Sequence, residues 1–102
     1  MSYGLPDSTV LKLKGVFARH PEIEQVLLYG SRAKGNFRPG SDIDLTVIGA
    51  NIDQQLLGRL LTELDELNTP YLMDLSLYQQ IGSEALKKHI AEHGKVLYQR
   101  QG

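Results

Sequence analysis

Two sequence motifs are the most informative in this chain, Gly30-Ser31-Arg32-Ala33-Lys34-Gly35 and Gly40-Ser41-Asp42-Ile43-Asp44-Leu45. The first closes a short apolar run with a glycine-serine corner, and the backbone N–H groups of such a corner can bind phosphate. In the second, Asp42 and Asp44 alternate with apolar residues. This is the period of a β-strand with one buried face, so both carboxylates are expected on the same face, where they can hold a divalent metal ion. The conjunction of the two stretches predicts nucleotide chemistry.

Hydrophobic periodicity in the rest of the chain predicts an α+β fold in which helices and strands alternate. One helix starts at Pro6-Asp7-Ser8, which supplies a capping group, and stops at His20-Pro21. Further helical segments are expected over Ser31–Lys34, from Asp53 through a leucine stripe to Leu67, and from Ser83 to Gly94, with Asp53 and Ser83 as the capping residues of the last two. Strands are expected over Gln25–Tyr29, Asp42–Ile48, Tyr71–Leu77 and, at an edge of the sheet, Lys95–Tyr98.

The length and composition suit one domain over residues 1–102, because 102 residues with 41% apolar content can build one core and no second lobe. Eleven Lys and Arg residues against twelve Asp and Glu residues give a net charge of −1, which argues against direct nucleic-acid binding by bulk electrostatics. The chain has no cysteine and no apolar run of membrane-spanning length. We therefore expect a protein that is soluble and cytoplasmic and does not bind membranes.

A third acidic residue, Asp74, interrupts an otherwise apolar strand, and a buried acid needs a physical reason. If its strand lies next to that of the first two aspartates, the three carboxylates can frame a metal site, and Asp74 can also orient or deprotonate an attacking hydroxyl. The loop between the two motifs carries Arg32, Lys34 and Arg38 without an acid, which is a positive patch that can attract a polyphosphate. A merely solvated loop is the alternative interpretation of these cations.

Taken together, these residues resemble the signature of the DNA polymerase beta-type nucleotidyltransferase superfamily, and the short length with Asp74 resembles its minimal nucleotidyltransferases, the MNT family. The resemblance is strongest from Tyr29 to Val47 and looser elsewhere. It implies a nucleotidyltransferase fold, a small mixed β-sheet flanked by about four helices. It also implies a site in which Gly30 and Ser31, with Arg32 and Ser41, bind ATP or another NTP, while Asp42, Asp44 and Asp74 are the catalytic residues and hold two magnesium ions.

Family membership would also imply a partner. Members often act as the antitoxin of a helical HEPN ribonuclease, and some transfer AMP from ATP to a tyrosine of that toxin. We therefore expect a nucleotidyltransferase that modifies a hydroxyl of a HEPN-type toxin protein. None of the motif residues identifies the acceptor, and the sequence leaves homo-oligomerisation open.

Two other functions stay open at this point. One is a binding module that neutralises its partner by contact and has a silent nucleotide site. The other is transfer to a small antibiotic or sugar, which larger members of the superfamily usually perform with an additional domain.

Three competing motifs fit less well. A P-loop would need Lys and Ser or Thr where Asn36 and Phe37 stand, and an EF-hand starting at Asp42 would need a glycine at Val47. His89 and His93 have the spacing of a helical zinc pair, but no cysteine accompanies them and the acid of a His-Glu-x-x-His motif is missing. We interpret them as residues at the boundary of the core.

Overall fold

The helices and strands follow one another in the predicted order in the computed structural model, which describes residues 4–38 and 40–101. The helices of this part of the chain are α1 (Asp7–Ala18), α2 (Ser31–Lys34), α3 (Gln54–Asp65) and α4 (Glu84–His93). The strands are β1 (Gln25–Tyr29), β2 (Ile43–Ile48), β3 (Met73–Leu77) and β4 (Lys95–Gln99), and a short 3₁₀ turn over Tyr78–Gln80 follows β3.

The four strands form one mixed sheet in the order β3-β2-β1-β4. The central strand β1 is antiparallel to both of its neighbours, β2 and β4. In contrast, β3 is parallel to β2. Because parallel neighbours need a crossover connection, α3 is placed between β2 and β3 along the chain. The predicted fold class, a small mixed sheet flanked by helices, is confirmed.

The hydrophobic core lies on one face of this sheet. Leu28, Leu45 and Leu75 are opposite one another in the strand register and form one of its rows. Helices α1 and α3 cover this face with buried side chains that include Phe17 and Leu60. Since alternate residues of a strand point to opposite faces, Tyr29, Asp44 and Asp74 are left to the other face.

A hydrogen-bonded pair of side chains, His20 and Glu63, joins α1 to α3 at the edge of the core. The Nε2 atom of His20, at the end of α1, lies 3.0 Å from Oε2 of Glu63. Both side chains are largely removed from solvent, so the pair fixes how the two helices lie over the sheet.

Two of the three predicted helix caps are confirmed. The Asp53 carboxylate accepts a hydrogen bond from the backbone N–H of Leu56 at 2.9 Å, and the Ser83 hydroxyl accepts one from Leu86 at 3.2 Å. The predicted cap of α1 is wrong. Pro6 is the N-cap residue there, and no described side chain caps the helix. Asp7 lies inside the first turn instead, where a negative charge favours the helix dipole.

Two predicted strands begin too early in the sequence. The strand predicted from Asp42 starts at Ile43, and the one predicted from Tyr71 starts at Met73. Asp42 therefore lies just before β2 rather than within it. Its position depends on the preceding loop as much as on the sheet.

Across residues 4–38 and 40–101, none of the helices combines the length and the apolar composition that crossing a bilayer requires.

Candidate active site

Three polar side chains form one row across three adjacent strands, near the point where β1 ends and where β2 and β3 begin. Tyr29 of β1 is paired with Asp44 of β2, and Asp44 is paired with Asp74 of β3. Paired residues on adjacent strands project from the same face, so the two carboxylates are neighbours and the tyrosine lies beside them. The expectation that the strand of Asp74 would lie next to that of Asp44 is confirmed. The expectation that Asp74 would be a buried acid is wrong, because β3 lies at the edge of the sheet and leaves this residue exposed.

The glycine-serine corner meets this row at Asp44. Gly30 has φ 79° and ψ −156°, a backbone conformation that residues with a side chain avoid. A β-carbon at Gly30 would overlap the Oδ2 atom of Asp44. The backbone angle and the contact each require glycine at position 30, and the contact brings the glycine-serine corner directly against a metal-binding candidate.

The neighbouring aspartates affect the pKa of Asp44. Burial raises the pKa of Asp44, and the negative charges of Asp74 and Asp42 raise it further, while His89 acts in the opposite direction. Asp42 is thus close enough to influence Asp44 although it lies outside the strand. A cation bound among these carboxylates would relieve their repulsion.

Tyr29 closes the row on the other side. Its side chain is buried, and the burial raises the pKa of the Tyr29 phenol above its usual value. A hydrogen bond with Ser76 lowers that pKa, whereas the charges of Asp74 and Asp44 raise it. The phenol consequently stays protonated next to the acidic pair.

His89 belongs to the candidate site, although the sequence does not indicate it. Its Nε2 atom accepts a hydrogen bond of 2.9 Å from the backbone N–H of Gly30, the group expected to face phosphate. The imidazole also lies edge-on to the Tyr29 ring at 6.2 Å and next to the His93 ring at 5.3 Å. Helix α4 thereby covers the corner. The spacing of His89 and His93 drew attention to metal, and nothing in the sequence points to a contact with a residue 59 positions earlier.

The cationic side chains of the loop between the corner and Asp42 differ in their exposure to solvent. Arg32 is only 2% exposed, and its Nε and Nη2 atoms donate to the Ser41 carbonyl at 3.2 and 2.9 Å. The Ser41 hydroxyl accepts a hydrogen bond of 2.8 Å from the backbone N–H of Arg38. Lys34 and the side chain of Arg38 are exposed. That Arg32 and Ser41 bind nucleotide directly stays a prediction.

The chemistry of the three aspartates fits magnesium. Among the residues that the structure describes, no three His, Cys, Asp or Glu side chains already form a closed group of metal ligands. Magnesium does not require one, since it usually keeps several waters and binds one or two carboxylates together with substrate phosphates. Hard carboxylate oxygens that lie close enough to repel one another are the donors such an ion prefers.

Comparisons with known proteins point to one family. The sequence profile described as "Polymerase beta, Nucleotidyltransferase" matches residues 11–102. No curated protein matches the chain.

Solved structures with a similar fold include antitoxin complexes. A toxin–antitoxin complex crystallised with AMP-PNP contains a chain with 26% identity and a TM-score of 0.70, over 95% of this chain and 76% of that chain. A tri-AMPylated HEPN toxin with its MNT antitoxin, from Shewanella oneidensis, matches at 22% identity and TM-score 0.68, over 93% and 73% of the two chains. The MntA–HepT complex matches at 21% identity and TM-score 0.68, over 94% and 74%. The predicted nucleotidyltransferase fold and the resemblance to MNT proteins are confirmed.

Proposed function

The chain belongs to the polymerase beta nucleotidyltransferase family, and on this premise we propose that it transfers AMP from ATP to a hydroxyl of a HEPN-type toxin protein. Two of the similar structures support this proposal. One, 26% identical, is a toxin–antitoxin complex with the ATP analogue AMP-PNP. In the other, an MNT antitoxin is bound to a tri-AMPylated HEPN toxin. The protein would act as the antitoxin of such a pair.

The observation that carries the proposal is the contact between the corner and the acidic row. Asp44 is paired with Asp74 on the neighbouring strand, and its Oδ2 atom occupies the space that a side chain at Gly30 would fill. Phosphate bound at the corner would therefore lie next to carboxylates that can hold a metal ion. An acid with only a structural role would not need to contact the glycine-serine corner.

In this proposal Gly30 and Ser31 bind the phosphates of ATP through the corner, and Asp42, Asp44 and Asp74 hold magnesium. The chemistry that bound magnesium supplies in such a site is neutralisation of phosphate charge and alignment of the reacting oxygens. The acceptor hydroxyl attacks the α-phosphorus, a new P–O bond forms, and the bond between the α- and β-phosphates breaks to release pyrophosphate. A carboxylate oxygen of Asp74 takes the hydroxyl proton. The proposal places the protein in the cytoplasm, where ATP and magnesium are available.

The test uses the chain together with the protein that co-purifies with it from its native host. Incubation with labelled ATP and magnesium should label that partner, release pyrophosphate and raise the partner's intact mass by one or more AMP units. The double variant Asp42→Ala, Asp44→Ala should do none of these while still binding the partner. If wild type with its true partner produces neither label nor pyrophosphate, the proposed transfer is wrong.

A second function, neutralisation by contact alone, is favoured by an exposed apolar surface. Leu72 is 74% exposed and Leu61 is 41% exposed, and both line a cavity of about 210 Å³ beside β3. Exposed apolar residues grouped in this way often mark a partner interface. If the Asp42→Ala, Asp44→Ala variant protects cells from the toxin as fully as wild type does, contact rather than transfer is the function.

A further inference from the structure

Arg32 is a buried charge with an unusual set of partners. It is the largest of the fully buried side chains, and a buried cation is costly unless polar or aromatic groups compensate for its lost hydration. Two nitrogens of its guanidinium donate to the Ser41 carbonyl at 3.2 and 2.9 Å. Its Cζ atom lies 5.1 Å from the ring centroid of Phe37 and 5.1 Å from that of Tyr71. The contacts of the guanidinium thus include one backbone oxygen and two aromatic rings.

These partners come from separate segments, and each segment leads to part of the proposed site. Arg32 follows the corner that begins at Gly30. Ser41 directly precedes Asp42, and Tyr71 leads into β3, the strand of the third aspartate. One side chain therefore joins the corner, the loop before the first aspartate and the start of the strand that carries the last.

We propose that Arg32 is a positioning residue for nucleotidyl transfer, which fixes the loop ahead of β2 and thereby places Asp42 near Asp44. This inference rests on the proposed function. It differs from direct nucleotide binding by Arg32, because the guanidinium acts through Ser41 and the two rings rather than on phosphate. The exposed cations of the loop, Lys34 and Arg38, remain available to attract a polyphosphate.

Hydrogen bonds tie Ser41 to Arg38, so the contact from Arg32 to the Ser41 carbonyl also restrains Arg38. Ser41 donates its backbone N–H to the Arg38 carbonyl at 2.9 Å, and its hydroxyl accepts from the Arg38 backbone N–H at 2.8 Å. Beyond the turn, Ile43 donates to the Leu72 carbonyl at 2.9 Å and starts the sheet. Asp42 lies between these two fixed points and is outside the strand, so the hold on Ser41 decides where its carboxylate can reach.

The planar fork of arginine is essential to this role. Two parallel N–H groups reach one carbonyl while both faces of the plane stay free to contact rings, which a lysine ammonium cannot reproduce. A phosphate ligand would behave differently, because lysine retains the positive charge. Arg32→Lys therefore separates positioning from phosphate binding.

The first measurement is amide hydrogen exchange on the ligand-free protein. In Arg32→Lys, exchange of the Arg38, Ser41 and Ile43 amides should be roughly tenfold or more faster than in wild type, while the amides of β1 are unchanged. Arg59→Lys, the same substitution at an exposed position of α3, is the matched control and should exchange as wild type does. Unchanged exchange in Arg32→Lys overturns the inference, whatever the activity.

The second measurement is the kinetics of AMP transfer to the co-purified partner. Arg32→Lys should lower kcat by roughly tenfold or more with little change in the KM for ATP, since the phosphate contacts remain and the aspartate is displaced. A raised KM with unchanged kcat and unchanged exchange would mean that Arg32 binds phosphate, and the inference would be wrong. Absence of transfer by wild type overturns the proposed function instead, so the two failures are distinguishable.

A milder variant covers the case in which Arg32→Lys does not fold. Tyr71→Leu removes one aromatic face and keeps the cation and its hydrogen bonds to Ser41. It should accelerate exchange of the same three amides and lower kcat in the same direction, to a smaller extent. Wild-type exchange and wild-type kcat in Tyr71→Leu would overturn the inference.

Discussion

Gly30→Ala tests the contact on which the site depends. The φ of 79° and ψ of −156° at Gly30 lie in a region that is nearly exclusive to glycine, and placing alanine there costs about 1 to 3 kcal/mol. For a domain of this size, each kcal/mol lowers the melting temperature by about 4 to 8 °C. The added methyl group must also displace the Asp44 carboxylate, because it would overlap the Oδ2 atom. A misplacement of about 1 Å in a reacting group costs roughly 100-fold in rate.

We therefore expect Gly30→Ala to melt at least several degrees below wild type and to transfer AMP about 100-fold more slowly at a temperature where both are folded. Gly35→Ala is the matched control. Gly35 also has a positive φ, 85°, but none of the described heavy atoms lies within 4 Å of an added β-carbon. It should lose about 1 to 2 kcal/mol of stability and keep its transfer rate. Wild-type transfer by Gly30→Ala, or equal loss of transfer in both variants, would show that the contact between Gly30 and Asp44 does not control the transfer rate.

Three further predictions concern the acidic row and two of the helices. Asp44→Asn should stabilise the ligand-free protein at pH 7 by less than about 1 kcal/mol, since it removes a screened repulsion, and should abolish the rise in melting temperature with magnesium and ATP. The pKa of Asp44 is raised in the folded protein, so the ionised carboxylate destabilises the fold at pH values above its folded-state pKa. Below the ordinary pKa of 3.8 the carboxyl is protonated in both states and this destabilisation is absent. In urea unfolding, the greater stability of Asp44→Asn over wild type should therefore vanish as the pH falls toward 3.8. Gly58→Ala, in the middle of α3 with no described heavy atom within 4 Å of the new β-carbon, should raise the free energy of unfolding by about 0.5 to 1 kcal/mol. His89→Ala should tighten binding of an ATP analogue by about 2- to 10-fold in calorimetry, because the Gly30 N–H no longer has to leave an imidazole before it binds phosphate.

The outcomes that would contradict these predictions are distinct. Strong destabilisation of Asp44→Asn would mark the carboxylate as structural. A loss of stability in Gly58→Ala would mean that α3 has a close neighbour at this point. Weaker nucleotide binding by His89→Ala would mean that the imidazole contacts the nucleotide instead of competing with it.

Local sequence signals predicted most of the framework. Asp53 and Ser83 cap their helices as expected, because a cap depends on residues three positions apart. The apolar run Gln25–Tyr29 became a strand with the same bounds, since length and the following glycine define it locally. The neighbourhood of Asp44 and Asp74 also followed from two strand patterns, although their adjacency required a parallel pairing that neither pattern contains.

The burial of Arg32 and the hydrogen bond between Gly30 and His89 depend on tertiary contacts and could not be predicted from the sequence. In the sequence, Arg32 belongs to a positive loop that can attract a polyphosphate, whereas in the fold it is buried and its contacts include Ser41, Phe37 and Tyr71. The hydrogen bond from Gly30 to His89 joins two ends of the fold, and no periodicity encodes it.

The parallel pairing of β2 with β3 ties activity to the completion of the sheet. Gly30 and Asp44 are synthesised well before Asp74, with α3 between them, so a nascent or truncated chain that stops ahead of Met73 holds both signature motifs and only part of the acidic row. Such a fragment would have no third carboxylate to receive a proton and no neighbouring strand to support Asp44. If the protein transfers AMP as proposed, a chain that stops before β3 would therefore lack part of the acidic row and would not modify a partner.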